Sequence, residues 1–202
     1  EDDQADPRQG VAAAQKMTDS GIKFVVGPYN SGVTMPASRV YDQAGTVVTT
    51  VSSNPKITEQ GFKRLFRVGA ADTALGVKMA QYAAKELKLK RVAVIDDRSA
   101  YGQGLAQEFA KAAKAAGMEV VKTEYTNDKA TDFTAVLTSI KSASPEAIFF
   151  GGYSAQGGPL ARQMKQLGIQ AKLLGGDGIC SSETAKLAGG DTVGENTWCT
   201  QG

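Results

Sequence analysis

The sequence predicts an α/β protein built on parallel sheets with helices on both faces. Three observations carry that prediction. Short apolar runs recur along the chain, among them Lys23-Phe-Val-Val26, Arg91-Val-Ala-Val-Ile-Asp96 and Ala147-Ile-Phe-Phe150. Long amphipathic segments separate them, and several of these segments close on glycine, as at Gly117 and Gly168. Continuous apolar strands alternating with amphipathic helices belong to sheets buried on both faces.

Each element has its own signal. Asp6-Pro7 places an N-cap before a proline at the first helical position, opening a helix that runs to Ser20-Gly21 with Val11, Ala14 and Met17 on one face. A strand over 23–26, a helix over 35–44 and a strand over 46–51 follow. Ser52-Ser53-Asn54-Pro55 reads as a loop, its Asn-Pro step marking a turn. A short strand over 65–67 leads to a helix over 72–87. The rhythm then sharpens: strand 91–96 with helix 101–116, strand 119–123 with helix 132–142, and strand 147–150 with helix 156–167. Strand 172–175, a short helix over 183–187 and a last strand over 196–199 complete the series. A composition shift at Gly69-Ala70-Ala71-Asp72 marks the boundary between two units, 1–70 and 71–202.

Composition removes several functions. The 202 residues carry 23 basic and 21 acidic side chains, mixed along the chain for a net charge of +2, so nucleic acid is not an expected partner. No apolar run approaches the ~20 residues that cross a bilayer. The chain starts at Glu1 without a Met or an apolar leader, which fits a removed signal peptide or an excised segment. There is no histidine, which excludes Ser-His-Asp chemistry and histidine metal sites, and two cysteines are too few for a cysteine zinc site. Cys180 and Cys199 read either as small buried apolar residues or as a disulfide in an oxidising compartment.

In open parallel sheets ligands sit beyond the carboxyl ends of the strands. The first such end is Gly27-Pro28-Tyr29-Asn30-Ser31-Gly32-Val33-Thr34. It offers hydroxyls and an amide without Lys or Arg, which suits a small carboxylate at a helix start better than a phosphate. Helix capping by Ser31 or Thr34 is the plainer reading of the same residues. The other ends are Val51 to Ser53, Asp96 to Tyr101, Gly151 to Tyr153 and Gly175 to Gly178. They supply hydroxyls, tyrosines, carboxylates and glycines, but no nucleophile–base pair. Val94-Ile-Asp-Asp97 lacks the later aspartate of a phospho-accepting pocket. Tyr101-Gly-Gln-Gly104 lacks dinucleotide spacing, and Gly152-Tyr-Ser154 has no histidine to activate its serine. A recognition site for a small polar molecule, without cofactor or metal, is expected.

Taken in series, Asp2-Asp3 with Asp6-Pro7, Ser31 with Thr34-Met-Pro-Ala-Ser38, Ser52-Ser-Asn-Pro55, Asp97 with Tyr101-Gly-Gln-Gly-Leu-Ala106, Phe150-Gly-Gly-Tyr153 and Gly175-Gly-Asp-Gly178 resemble the periplasmic leucine/isoleucine/valine-binding proteins of ABC importers. The resemblance spans essentially the whole chain. It implies a type I solute-binding fold of two lobes that close on a ligand held in the cleft, with residues 1–70 a partial first lobe and 71–202 a nearly complete second. It implies an amino-acid ligand, a membrane permease as partner, an extracytoplasmic location and no catalysis. Position by position, Ser31 and Ser53 fall where the ligand carboxylate is held. Val51, through its carbonyl, Ser53 and Asp177 fall at the ligand ammonium. Tyr29, Asn30, Tyr101 and Tyr153 fall on the pocket wall. Export also favours a Cys180–Cys199 disulfide.

Three departures stand out. Asp177 is a methylene shorter than the usual Glu, Val51 and Ser53 replace the common Ala and Thr, and Tyr29-Asn30 replaces an apolar pair. They leave room for a polar or aromatic amino acid as well as a branched one. The family is also longer than this chain, so the first lobe is expected to be incomplete, with swapping or dimerisation through its exposed edge. Two other classes share features of the fold: a ligand-sensing receptor or regulator, and an α/β enzyme, against which the missing histidine and nucleotide motif argue.

Overall fold

The structure, a computed structural model, describes residues 1–190 and 196–202. The chain forms two compact units, Glu1–Ala71 and Asp72–Gly202.

In the first unit, β1 (Phe24–Val26), β2 (Val47–Thr50) and β3 (Leu65–Arg67) pair in parallel, in that order. Helices α1 (Pro7–Asp19), α2 (Ser31–Gln43) and α3 (Lys56–Glu59) accompany them. Asp6 caps α1 by accepting from the Arg8 and Gln9 amides, as the Asp-Pro step predicts. The core joins Val48 and Leu65 of the sheet to Ala14, Ala37, Tyr41 and Ile57 of the helices. The opposite sheet face carries Phe24, Val26 and Phe66, which are 77%, 94% and 53% exposed. Helices therefore cover one face here, not the two predicted. The remaining residues of this unit are turns and a single-turn helix, too short to supply another layer.

The second unit has five parallel strands in the order β5-β4-β6-β7-β8. They are β4 (Arg91–Asp96), β5 (Glu119–Tyr125), β6 (Ala147–Gly151), β7 (Lys172–Gly175) and β8 (Thr197–Cys199). The helices are α4 (Asp72–Lys85), α5 (Ala100–Ala115), α6 (Thr134–Ser142), α7 (Ser154–Gln166) and α8 (Ser182–Ala188). Side chains alternate across a strand, so each central strand serves two cores. Ala93, Ile95, Ile148 and Phe150 pack with Leu137, Ile140, Leu160 and Met164 of α6 and α7. On the other side Phe149 stacks on Phe109 of α5, ring centroids 3.9 Å apart. Both faces of this sheet are covered.

Two helices start earlier than the sequence predicts. Both α2 and α7 begin at a serine just beyond a strand, Ser31 and Ser154, and each holds a proline inside, Pro36 and Pro159. Proline is usual at a helix start, where it needs no amide donor, and less so inside a helix. The chain instead turns at once: the Asn30 carbonyl accepts from Val33 and Thr34, and the Tyr153 carbonyl from Gln156 and Gly157. Each proline then forfeits only one bond of a continuing ladder. The structure also adds α3 after the Asn54-Pro55 turn, and a single 3-10 turn, Asp177–Ile179, beyond β7.

Close backbone approach brings α5 onto β6. A Cβ on Gly102 would collide with the Gly151 carbonyl and the Asp97 carboxylate, and one on Gly151 would collide with the Gly102 carbonyl. Gly102→Ala gains up to about 1 kcal/mol of helix propensity but forces backbone apart, which costs about 1–3 kcal/mol or more. The clash with fixed backbone wins. Urea denaturation is expected to show net destabilisation of at least about 1 kcal/mol; a gain in stability would refute this packing.

Candidate functional site

Parallel pairing delivers the strand ends of each unit to one edge, and the predicted site residues fall at those two edges. In the first unit the loop after β1 and the loop after β2 are laced together by hydroxyls. Thr50 donates to the Pro28 carbonyl at 2.6 Å, and Ser52 donates to the Tyr29 carbonyl at 2.7 Å. Thr34 and Ser52 share a hydrogen bond of 2.6 Å. The Asn54 amide donates to the Ser31 hydroxyl at 3.3 Å. Ser31 is the first residue of α2; the Asn30 carbonyl takes the Val33 and Thr34 amides, so within that first turn only the Ser31 and Gly32 amides have no partner inside the helix. The sign of the helix dipole there favours an anion. Ser31 and Ser53 are buried, Asn30 is half-buried, and Tyr29 and Val51 are exposed.

In the second unit Asp177 opens the 3-10 turn beyond β7, flanked by Gly176 and Gly178. Tyr101, in the first turn of α5, donates its hydroxyl to Asp177 Oδ1 at 2.8 Å and accepts from the Gly178 amide at 2.9 Å. The Tyr153 ring lies 4.8 Å from that of Tyr101. Tyr101 is only 3% exposed, so its side chain acts on Asp177 more than it faces solvent; Tyr153 is the more open of the two rings. Burial, then the neighbouring Asp177 charge, raises the Tyr101 phenol well above its usual range. Tyr101 therefore stays protonated and donates. Ser154 donates to the Gly178 carbonyl at 3.0 Å and Thr184 to the Ile179 carbonyl at 2.8 Å, fixing the rest of the turn. Cys180, immediately after it, forms a disulfide with Cys199 at the end of β8, with Cα atoms 5.6 Å apart.

Two features were not among the predicted site residues. The hydroxyl set Thr34, Thr50 and Ser52 is one, and its signal was the run of hydroxyls at 49–53. The other is Asp97, 1% exposed, whose Oδ1 accepts from the Ser99 amide at 2.9 Å and the Ser99 hydroxyl at 2.6 Å. Ser99 in turn caps α5 by accepting from the Gly102 amide at 2.9 Å. Asp97 Oδ2 is buried without a hydrogen-bond partner. Burial, reinforced weakly by the charges of Asp128 and Asp96, raises the Asp97 carboxyl to about 6 against the Ser99 hydrogen bonds. Among the described residues no group of His, Cys, Asp and Glu could hold a metal ion, and no helix is long and apolar enough to cross a membrane.

The edges thus gather hydrogen-bonding groups on parallel α/β scaffolds, the arrangement of a small-solute recognition protein. The family model for periplasmic binding proteins matches residues 1–202, and the chain belongs to that family. It is 40% identical over 194 residues to a Leu/Ile/Val-binding protein homolog of Brucella melitensis, covering 96% of this chain and 53% of that protein. It is 38% identical to a leucine-, isoleucine-, valine-, threonine- and alanine-binding protein of Pseudomonas aeruginosa, covering 96% of this chain and 52% of that one. The chain thus spans about half the length of the curated relatives it matches. Among solved structures, a leucine-binding protein of Thermotoga maritima matches with TM-score 0.89 and 29% identity, over 93% of this chain and 54% of that one. A branched-chain amino acid substrate-binding protein of Streptococcus pneumoniae, in complex with isoleucine, matches with TM-score 0.83 and 27% identity, over 94% and 54%.

Asp97 makes stability depend on pH in a definite direction. Its carboxyl lies at about 6 in the fold and near 3.9 when unfolded, so between these values the folded state binds the extra proton. Stability then falls as pH rises through that window, by roughly 2–3 kcal/mol. Asp97→Asn keeps an acceptor for Ser99 and removes the titration. Denaturation from pH 4 to pH 7 is expected to show this downward slope in the wild type relative to the variant; parallel profiles would refute it.

Proposed function

We propose that this chain is part of a periplasmic solute-binding protein that captures an amino acid, most naturally a branched-chain one, and delivers it to the permease of an ABC importer without transforming it. The observation that carries the reading is the chemistry gathered at the strand ends of each unit taken by itself. One offers hydroxyls and helix-start amides; the other offers a single carboxylate, Asp177, aimed by a buried tyrosine. A free amino acid needs donors for its carboxylate and an anionic acceptor for its ammonium, and charge-assisted hydrogen bonds are the strong ones.

Ser31 and Ser53, with the first amides of α2, receive the carboxylate. Asp177, the Val51 carbonyl and Ser53 receive the ammonium. Tyr29, Asn30 and Tyr153 form the wall around the side chain, and Tyr101 contributes mainly by holding Asp177. The relatives' names, which specify leucine, isoleucine and valine, and the isoleucine complex among the structural matches support the ligand class. The family supports the periplasmic location and the absence of catalysis.

Thermal unfolding of the longest form of the protein that carries this chain, screened against the amino acids, tests the proposal by mass action on the folded state. Leucine, isoleucine or valine is expected to raise the midpoint; no shift with any amino acid would refute the reading. The assignment of groups has its own tests. Asp177→Ala is expected to cost about 2–5 kcal/mol of binding, as loss of one member of a desolvated charge pair does. Amino-acid amides, lacking the carboxylate, are expected to bind far more weakly than the free acids, and equal binding would remove Ser31 and Ser53 from that role.

A further inference from the structure

We propose that the Cys180–Cys199 disulfide is a positioning element for Asp177, so that the bond sets affinity for the ligand's ammonium end; this rests on the proposed role of Asp177. The 3-10 turn that carries Asp177 is three residues long, Asp177–Ile179, places Asp177 between Gly176 and Gly178, and is closed by the Cys180 amide donating to the Asp177 carbonyl at 3.0 Å. Such a turn has little stability of its own, and its glycine flanks leave many backbone conformations open.

Its anchorage follows from the strand register. Cys199 pairs with Gly175 in the β7–β8 ladder, and the Thr200 amide donates to the Gly175 carbonyl at 3.2 Å. The disulfide links that same Cys199 to Cys180. It therefore closes a small ring running from Gly175 through Gly176, Asp177, Gly178 and Ile179 to Cys180. Asp177 lies inside the ring, pinned to the sheet on one side by the ladder and on the other by the covalent bond. Tyr101, Ser154 and Thr184 add hydrogen bonds to the turn, each worth about 1 kcal/mol net. They fix Asp177 only while Gly175 and Gly176 leave the turn within their reach. Among the described residues β8 is the last strand of its sheet, paired on one side only; besides the disulfide, that short ladder and a 3.7 Å contact of Cys180 Sγ with the Thr200 carbonyl tie the turn to the strand.

The test is a double-mutant cycle in the longest form of the protein that carries this chain, with leucine as the probe. One side of the cycle is Cys180→Ser with Cys199→Ser; the other is Asp177→Asn, which keeps an acceptor for Tyr101 but removes the charge. Thermal unfolding confirms that each form is folded at the temperature of measurement. Removing the disulfide is expected to weaken leucine binding about tenfold in the wild-type background and less than about threefold beside Asp177→Asn, because contacting groups couple. A second route leaves the sequence intact: a dithiol reductant donates two electrons and two protons, splits the Sγ–Sγ bond into two thiols and departs as its own disulfide. The wild type so treated is expected to match the double serine variant.

An equal loss in both backgrounds would reduce the disulfide to general stabilisation and overturn the inference, as would unchanged leucine affinity without the bond. Failure of the oxidised wild type to bind leucine or any other amino acid would instead strike the proposed function, and this inference with it. A wild type that binds, with Asp177→Asn harmless, would remove Asp177 from the site and so overturn the inference while leaving amino-acid binding in place.

Discussion

Parallel pairing is the constraint on which this structure depends. A parallel strand must end at the same edge as its neighbour, so each crossover returns through a helix on a face of the sheet. Helix starts therefore gather beside strand ends, and residues distant in sequence meet there. Tyr101 at the start of α5 and Asp177 beyond β7 are 76 positions apart, yet the Tyr101 hydroxyl oxygen lies 2.8 Å from Asp177 Oδ1. Their meeting requires only the order of β4, β6 and β7 in one sheet.

Polar groups brought to such an edge must be satisfied or used. In the first unit the hydroxyls of Thr34, Thr50 and Ser52 are spent on the carbonyls of Pro28 and Tyr29 and on each other. They stiffen the loop that precedes α2, whose Ser31 and Gly32 amides have no partner inside the helix. In the second unit the division of labour is similar. Ser99 and Asp97 hold the start of α5, and Tyr101, carried on its first turn, holds Asp177. Asp97 costs stability at neutral pH, because burial disfavours its charge. Two glycines, Gly102 and Gly151, make room for this crowded junction where any Cβ would meet backbone.

The position of the Asp177 carboxylate acquires a physical meaning in this setting. A side chain this short reaches little beyond its backbone, so its placement depends on how closely that backbone is held. The turn around it is fixed by a tyrosine, a serine, a threonine and a disulfide. Short reach and firm anchorage go together.

Much of the fold was legible from local pattern. Apolar runs and amphipathic spacing marked the strands and most helices, and the position of strand ends named Ser31, Ser53, Tyr101, Tyr153 and Asp177 as residues to watch. The starts of α2 and α7 lie earlier than 35 and 156 because the chain turns at once at Asn30 and Tyr153, whose carbonyls accept the first helical bonds. The bare face of the first sheet was equally hidden, since Phe24, Val26 and Phe66 have the composition of buried strand residues. Sequence by itself determined the alternation of elements, the polar character of their ends and the absence of histidine chemistry, because periodicity and composition are local properties. Only the tertiary structure decided that Tyr101 serves Asp177, that Asp97 lies buried with one oxygen unpartnered, and that Cys199 stands opposite Gly175. Those facts depend on strand order and register, which join residues that no local window contains.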